Sequence, residues 1–149
     1  MTALVTRLAA PGEEPFVVDS WQRSFYDAAS RALPLVAELP AGAYRQAQRV
    51  VVQRLLKRSC VSVAHYKGVP DEVLGYLVHE RPGRCDESTP TVLHWLYVKQ
   101  SYRHTGVARA LLAPVLDLPR STLHHSHETF SGRSLARALK SSFNPQLAR

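Results

Sequence analysis

The chain reads His94-Trp-Leu-Tyr-Val-Lys-Gln-Ser-Tyr-Arg-His-Thr-Gly-Val-Ala-Arg-Ala-Leu-Leu112 through its most informative region. The first part is rich in β-branched and aromatic residues, which predicts a β-strand that ends at the polar run 99–101. Alternation places every second residue from Val92 to Val98 on one face of this strand, and Leu93, Trp95 and Tyr97 on the other. Both faces are largely apolar, which is typical of a strand covered on both sides.

A helix is predicted to follow the strand after a short basic turn. Apolar residues recur at helical spacing from Val107 to Val115. Pro114 interrupts the pattern, which predicts either a kink there or a helix that ends near Ala113. The chain therefore runs from strand to basic turn to helix.

The turn between the strand and the helix has the composition of an anion-binding site. Backbone N–H groups at a helix start have no partner within the helix, and the helix dipole adds partial positive charge there. Gly106 and Ala108 let a ligand approach the backbone closely. Basic side chains surround them, namely Arg103, His104 and Arg109. The pattern predicts a cradle for a pyrophosphate, and it is neither the Gly-rich turn of a Rossmann fold nor a P-loop.

These residues resemble a known cofactor motif. Leu96-x-Val98, Arg103-x-x-Gly106-x-Ala108 and the following Ala-Leu-Leu are similar to the acetyl-CoA motif of the GCN5-related N-acetyltransferase (GNAT) superfamily. The core of that motif is Gln/Arg-x-x-Gly-x-Gly/Ala between the fourth strand and the third helix. An ordinary strand–turn–helix connection with no ligand is the alternative interpretation.

The resemblance implies an α/β (α+β) fold with a mixed, mostly antiparallel central sheet and helices on both of its faces. It implies one GNAT-like acyltransferase domain over residues 1–149, with acetyl-CoA as the cofactor. The pantetheine arm would lie between splayed strands four and five. The residues that would bind the cofactor are Tyr97, Val98, Lys99, Arg103, His104, Thr105, Gly106, Val107, Ala108 and Arg109.

Composition sets limits on the rest of the interpretation. The chain has 149 residues, which suits one domain with its own core. Its net charge of +7 fits a polyanionic ligand such as coenzyme A, and equally a nucleic-acid surface, although no nucleic-acid motif accompanies it. No apolar run is long enough to span a bilayer, so we expect no membrane insertion. Cys60 and Cys85 form no paired motif, which favours a reducing cytoplasm.

The remaining elements are predicted from periodicity and turn residues. A strand is expected at Ala3–Leu8, a helix from Asp19 or Ser20 to Ala32, and a loop-like segment from Pro34 to Gly42. A second helix is expected over residues 43–58. A hairpin follows, with arms at Cys60–His65 and Val73–Glu80, and Gly75 marks either a bulge or a close backbone contact.

The C-terminal part is short for the family that the motif resembles. Residues 121–127 are predicted to form the fifth strand, and a helix begins at Ser131 or Gly132 with Leu135, Leu139 and Phe143 facing inward. A GNAT domain usually closes with a strand pair, whereas this chain has room for at most one short strand. The sheet edge would then be open or covered by a partner such as a second copy.

His94 is the candidate catalytic base, because imidazole titrates near physiological pH and this strand is otherwise apolar. The resemblance implies direct attack of an amine on acetyl-CoA, and His94 matches one of two strand histidines in arylalkylamine N-acetyltransferases. A buried structural histidine is the alternative. The family's usual tyrosine acid has no counterpart here, since Ala138 takes its place.

The acceptor is expected to be an amine on a small molecule, a peptide or a protein. Trp21, Tyr26 and His125 are the candidate substrate-binding residues, with core packing as the alternative for the first two. No metal is predicted, because the cluster His124, His125 and His127 lacks a second ligand pair.

Two loosely matching segments resemble short GNAT-like proteins of tailed bacteriophages, namely Ser20–Ser24 and Trp95–Lys99. That likeness motivates a second hypothesis, a catalytically silent GNAT-fold interaction or virion-associated protein. The expected location is the cytoplasm. For a protein encoded by a bacteriophage, it would be the host cytoplasm or the virion.

Overall fold

The computed structural model describes residues 2–80, 91–116, 123–127 and 130–149. Within these residues, strands and helices alternate along the chain, with short 3₁₀ turns between some of them. The strands are β1 (Leu4–Leu8), β2 (Cys60–Tyr66), β3 (Gly75–Glu80), β4 (Thr91–Val98), β5 (Leu123–His125) and β6 (Ser142–Phe143). The helices are α1 (Glu14–Ala32), α2 (Pro34–Glu38), α3 (Ala41–Leu56), α4 (Val107–Leu116) and α5 (Phe130–Leu139).

The strands form one sheet in the order β1-β2-β3-β4-β5-β6. Strands β1 to β4 pair antiparallel, whereas β5 lies parallel to β4 and β6 lies parallel to β5. The predicted fold class, a mixed and mostly antiparallel sheet with helices, is confirmed. The single closing strand β6 is two residues long, in agreement with the room that the sequence leaves for it.

Each face of the sheet carries its own apolar core. On one face, α4 packs through buried residues such as Val107 and Leu111, and Leu139 of α5 joins the same cluster. On the other face, α1 and α3 contribute a second cluster that includes Trp21 and Leu55. The central strands are therefore covered on both sides, as their apolar composition predicts. None of the helices in the described ranges is both long enough and apolar enough to cross a membrane.

A β-bulge in β4 corrects the predicted division of its side chains between the two faces. Val78 of β3 pairs with Trp95, but the next residue, His79, pairs with Leu93, so His94 is an extra residue in β4. The bulge reverses the alternation on its two sides. Leu93 consequently joins the same core as Leu96 instead of the face of Trp95.

Several predicted boundaries are also wrong. Helix α1 begins at Glu14, five residues before Asp19, because Pro15 occupies the first turn, where its missing N–H costs nothing. Helix α2 occupies most of the segment predicted as a loop. Helix α4 continues past Pro114 to Leu116, so the alternative of an end near Ala113 is wrong and the kink stays a prediction. Phe143 belongs to β6 and is 47% exposed, so it does not face inward from α5.

Candidate active site

The predicted anion cradle lies between β4 and α4. A 3₁₀ turn at Gln100–Tyr102 leads from the strand, and His104 and Gly106 both have positive φ angles, 65° and 93°. The first backbone hydrogen bond of α4 runs from the Ala110 N–H to the Gly106 carbonyl, at 3.0 Å. Within the described part of the chain, the six N–H groups of residues 104–109 have no hydrogen-bond acceptor. This run of unpaired donors at a helix start is suited to an anion.

The side chains around the cradle differ in what they offer. Arg103 and Arg109 are exposed, and the Arg103 Nε donates to the Val98 carbonyl at 3.4 Å. The Val107 side chain is 1% exposed and belongs to the core, so it presents only its amide. The Thr105 hydroxyl donates to the Tyr102 carbonyl, which fixes the turn.

Two of the predicted cofactor residues are occupied elsewhere. The Lys99 amide donates to the Leu74 carbonyl at 2.9 Å, and its ammonium lies 5.4 Å from the centre of the Phe16 ring. The Tyr97 ring stacks on Tyr76 with 5.3 Å between centroids. Neither the Lys99 amide nor the Tyr97 ring is therefore free for a cofactor.

A gap opens in the sheet next to the cradle. Strands β4 and β5 pair only between Thr91–Leu93 and Leu123–His125. The last bond between them runs from the Ser126 N–H to the Leu93 carbonyl at 3.1 Å. Beyond that point, residues 95–98 of β4 pair with β3 alone among the described strands. The predicted parallel pairing of these two strands is confirmed, and their divergence leaves room for an extended chain beside β4.

His94 is almost completely buried, with 2% of its surface exposed. Its Nε2 lies 2.8 Å from the Glu80 carboxylate, and its Nδ1 lies 2.6 Å from the Ser126 hydroxyl. Burial lowers the pKa of His94, and the hydrogen bond and charge of Glu80 oppose that change. With both ring nitrogens occupied, His94 has no atom available for direct contact with a substrate.

The contacts of His94 continue in both directions. On one side, the Arg58 Nε donates to the same Glu80 oxygen at 2.9 Å. The Arg58 guanidinium also donates to the carbonyls of Leu147 and Arg149, at 2.8 and 2.6 Å. The result is a clamp that holds the carboxylate from the end of α3.

On the other side of His94, the Ser126 hydroxyl lies 2.8 Å from the Nδ1 of His127. Three aromatic rings surround His127 in edge-on orientations, with centroid distances of 5.5 Å to Trp21, 5.4 Å to Phe25 and 6.2 Å to Trp95. Burial, followed by the nearby His94, lowers the pKa of His127 to about 4. His127 nevertheless retains some exposed surface.

The three predicted substrate-binding residues do not come together. Trp21 is 1% exposed and stacks on Trp95 at 5.9 Å, so it belongs to the core and offers almost no surface to a substrate. Tyr26 packs instead against Tyr44 of α3, with 5.4 Å between ring centroids.

His125 lies in a different place again. Its Nδ1 is 2.8 Å from the Ser141 hydroxyl, and its ring packs against Phe143, whereas His127 packs against α1. These two histidines do not share a strand face, because β5 ends at His125 and regular alternation ends with it. Among the described residues, no three His, Cys, Asp or Glu side chains are grouped to hold a metal ion.

Arg58, Glu80, Ser126 and His127 were missed as site residues by sequence reasoning. Glu80 closes a predicted strand next to the central one, which was the available signal for a carboxylate near His94. The bulge that brings them into contact has no signature in the sequence.

Comparison with known proteins places the chain in a family. A search of curated proteins finds no significant match. Among solved structures, a GCN5-related N-acetyltransferase from Ralstonia eutropha is 18% identical, with a TM-score of 0.58 over 94% of this chain and 93% of that one. A ribosomal-protein-alanine N-acetyltransferase from Brucella melitensis is 16% identical, with a TM-score of 0.51 over 92% and 90%. These likenesses show a shared fold. The family profile of the GNAT acetyltransferases matches residues 17–139, and the protein therefore belongs to the acetyltransferase (GNAT) family.

Proposed function

We propose that this protein transfers the acetyl group of acetyl-CoA to an amine on a small molecule, a peptide or a protein. One observation carries the proposal: six consecutive unpaired N–H groups, at residues 104–109, begin a helix beside a gap in the sheet. A diphosphate matches the unpaired amides, and an extended pantetheine arm matches the gap. Membership of the GNAT family supports the same cofactor.

The transfer itself needs a neutral amine at the thioester carbonyl. The amine nitrogen bonds to the acetyl carbon and the carbon–sulfur bond breaks. The nitrogen gives up one proton to water and the thiolate of coenzyme A takes one up, so an amide and a free thiol form with no net change in protons. The cradle would hold the diphosphate, with Arg103 and Arg109 adding positive charge at its rim. Backbone groups of Val98 would orient the arm. Because its ring is sealed from substrate, His94 would act as a positioning residue within a chain of proton carriers.

Acetyl-CoA binding tests the cradle directly, through the melting temperature of the protein. A ligand at 100 times its Kd stabilises the folded state by about 2.7 kcal/mol. We expect Gly106→Glu to remove this stabilisation, since a carboxylate would then occupy the anion site. Gly68→Glu is the matched control, because Gly68 also has a positive φ, 91° against 93°, and also lies in open space, but in the β2–β3 turn. Equal acetyl-CoA responses in the two variants would contradict the cradle.

Release of free thiol from acetyl-CoA tests the transfer itself. A panel of alkyl, aryl and peptide amines is supplied with acetyl-CoA, and thiol is followed by absorbance with a disulfide reagent. Turnover that depends on the amine and is lost in Gly106→Glu supports the proposal. Acetyl-CoA binding without thiol release for any amine would instead indicate the second hypothesis, a catalytically silent GNAT domain.

A further inference from the structure

The buried polar residues around His94 form one continuous chain of hydrogen bonds. Its members, in order, are Arg58, Glu80, His94, Ser126 and His127. They come from the end of α3, from β3 and β4, and from the segment after β5. Four of the five lie outside the residues that the sequence predicts to be functional, and the chain ends at His127 among three aromatic rings.

Donor and acceptor chemistry fixes the direction of every bond in this chain. Glu80 is paired with the Arg58 guanidinium and, as a carboxylate, can only accept. The His94 Nε2 must therefore carry hydrogen, and in a neutral ring this leaves the Nδ1 as an acceptor. The Ser126 hydroxyl must donate to that Nδ1 at 2.6 Å.

The same logic decides the tautomer of His127. Because the single hydrogen of the Ser126 hydroxyl is used on His94, the Ser126 oxygen can only accept from His127. The His127 Nδ1 must therefore carry hydrogen, and its Nε2 is left as a bare lone pair. Within the described ranges, that Nε2 has no hydrogen-bond partner. Among the described residues, the chain thus ends in an imidazole nitrogen that accepts no hydrogen bond, on a partly exposed ring.

We propose that His127 is the catalytic base of the acetyl transfer, and that Ser126 and His94 pass its proton to Glu80. This role rests on the proposed function and deepens it. The ammonium of the acceptor gives one proton to the His127 Nε2, and the His127 Nδ1 hydrogen moves to the Ser126 oxygen. The Ser126 hydrogen moves to the His94 Nδ1, and the His94 Nε2 hydrogen moves to Glu80. Each intermediate carrier gives one proton and receives one, so the net result is a neutral amine and a protonated carboxyl.

The later steps balance as well. The neutral amine attacks the thioester and loses its second proton as the amide forms, while the departing thiolate takes one up. Glu80 supplies that proton back through His94, Ser126 and His127, so that each carrier regains its starting hydrogen and the chain is ready for the next acceptor. Burial disfavours a charged His127 ring and lowers its pKa. Transfer along the chain avoids that charge, because each imidazole ring gives up one proton as it receives another.

The surroundings of His127 are aromatic. Its ring packs edge-on against Trp21, Phe25 and Trp95, and none of these rings titrates. Among the described residues, His94 is the charged or titratable group that acts on His127. Glu80 and Arg58 act in turn on His94, as does His94 on His79. Removal of a proton matters only for an amine that is protonated near pH 7, so the acceptor inferred from this role is an alkylamine.

A comparison of two acceptors separates a proton relay from a structural role. An alkylamine is protonated at pH 7, whereas an aniline is already neutral and needs no base. We expect Ser126→Ala to lower kcat/KM for the alkylamine about 100-fold at pH 7. The aniline should lose less than about threefold, and higher pH should restore the alkylamine rate. Ser126→Cys, which keeps a weak donor and acceptor, should give an intermediate rate.

Ser62→Ala is the matched control, because its hydroxyl also contacts a histidine, His79, at 3.3 Å but lies outside the chain. This variant should leave kcat/KM unchanged for both the alkylamine and the aniline. Equal losses for both acceptors in Ser126→Ala, or losses no larger than in Ser62→Ala, would overturn the relay while the proposed function stood. Wild-type protein that releases no thiol with any amine would overturn the proposed function itself.

Nitrogen-15 NMR of the imidazole rings tests the chain without turnover. At pH 7, His94 should carry hydrogen on Nε2 and His127 on Nδ1. The opposite tautomer at His127 would refute the deduced direction of the bonds, whatever the kinetics show.

Discussion

Gly75→Ala probes how closely β3 approaches the strand that borders the cofactor gap. Gly75 pairs with Val98, and a Cβ at this position would lie 2.5 Å from the Tyr97 carbonyl oxygen. It would also lie 3.1 Å from a Val107 methyl and 3.2 Å from the Val98 Cα. Two of these neighbours are backbone atoms, which cannot rotate away. The predicted close backbone contact at Gly75 is confirmed.

The size of the effect follows from these distances. The Tyr97 oxygen is about 0.8 Å nearer than an ordinary carbon–oxygen contact of about 3.3 Å. Relief requires a backbone shift in β4, and overpacking of this kind costs about 1–3 kcal/mol. Because alanine also reduces the entropy of the unfolded chain by about 0.4–1 kcal/mol, we expect a net loss of about 1.3 kcal/mol. In a chain of this size, that loss lowers Tm by about 3–5 °C.

Thermal and urea unfolding measure this change, with Gly42→Ala as the control. Gly42 lies exposed near the start of α3, and a Cβ there meets nothing within 4 Å. That variant should be more stable than wild type, by about 0.5–1 kcal/mol, because alanine favours the helix. Opposite signs for the two substitutions are therefore expected. Wild-type stability in Gly75→Ala would refute the claim that β3 and β4 are in unyielding contact at Val98.

Two further predictions concern stability. Burial holds the pKa of His127 at about 4, below the unfolded value of about 6.5. Between these two pH values the unfolded state binds more protons than the folded state. The free energy of unfolding should therefore fall as pH is lowered from 6.5 to 4. His127 should contribute on the order of 3 kcal/mol to this change. The free energy of urea unfolding should therefore depend less on pH in His127→Phe than in wild type. Parallel pH profiles for the two proteins would argue against a buried neutral imidazole. Tyr76→Phe removes a hydroxyl that donates to the Val17 carbonyl at 3.1 Å and lies 2.9 Å from the Ser20 Oγ. The substitution should lower the free energy of urea unfolding by about 1 kcal/mol. An unchanged unfolding midpoint would show that these bonds add nothing to the α1–β3 contact.

The cradle could be predicted from sequence because its determinants are local. The strand before Lys99, the turn residues and the helical spacing after Gly106 lie within a short segment, and each follows from periodicity or backbone freedom. The sheet class followed for the same reason, since hairpin signals and alternation are short-range properties. Helix α2 was missed because proline at its start was taken only as a breaker.

The proton chain could not be predicted, because its geometry is set by long-range pairing. Arg58 and Glu80 are 22 residues apart, and His94 and Ser126 are 32 apart. A single extra residue in β4 decides whether His94 meets these partners. Alternation predicts which side chains of a regular strand share a face of the sheet. Nothing in the composition of β4, however, marks the position of a bulge.

The bulge and the end of β5 occur at the same level of the sheet, and this coincidence links the two halves of the site. The Ser126 amide makes the last ladder bond, to Leu93, while its hydroxyl bonds to the bulged residue His94. Had β4 and β5 continued in register, the gap beside Val98 would be closed by backbone pairs. The His127 ring would then follow strand alternation and leave its aromatic neighbours. We therefore expect the bulge to govern both features of the proposed site, and shifting it should impair cofactor binding and proton transfer together.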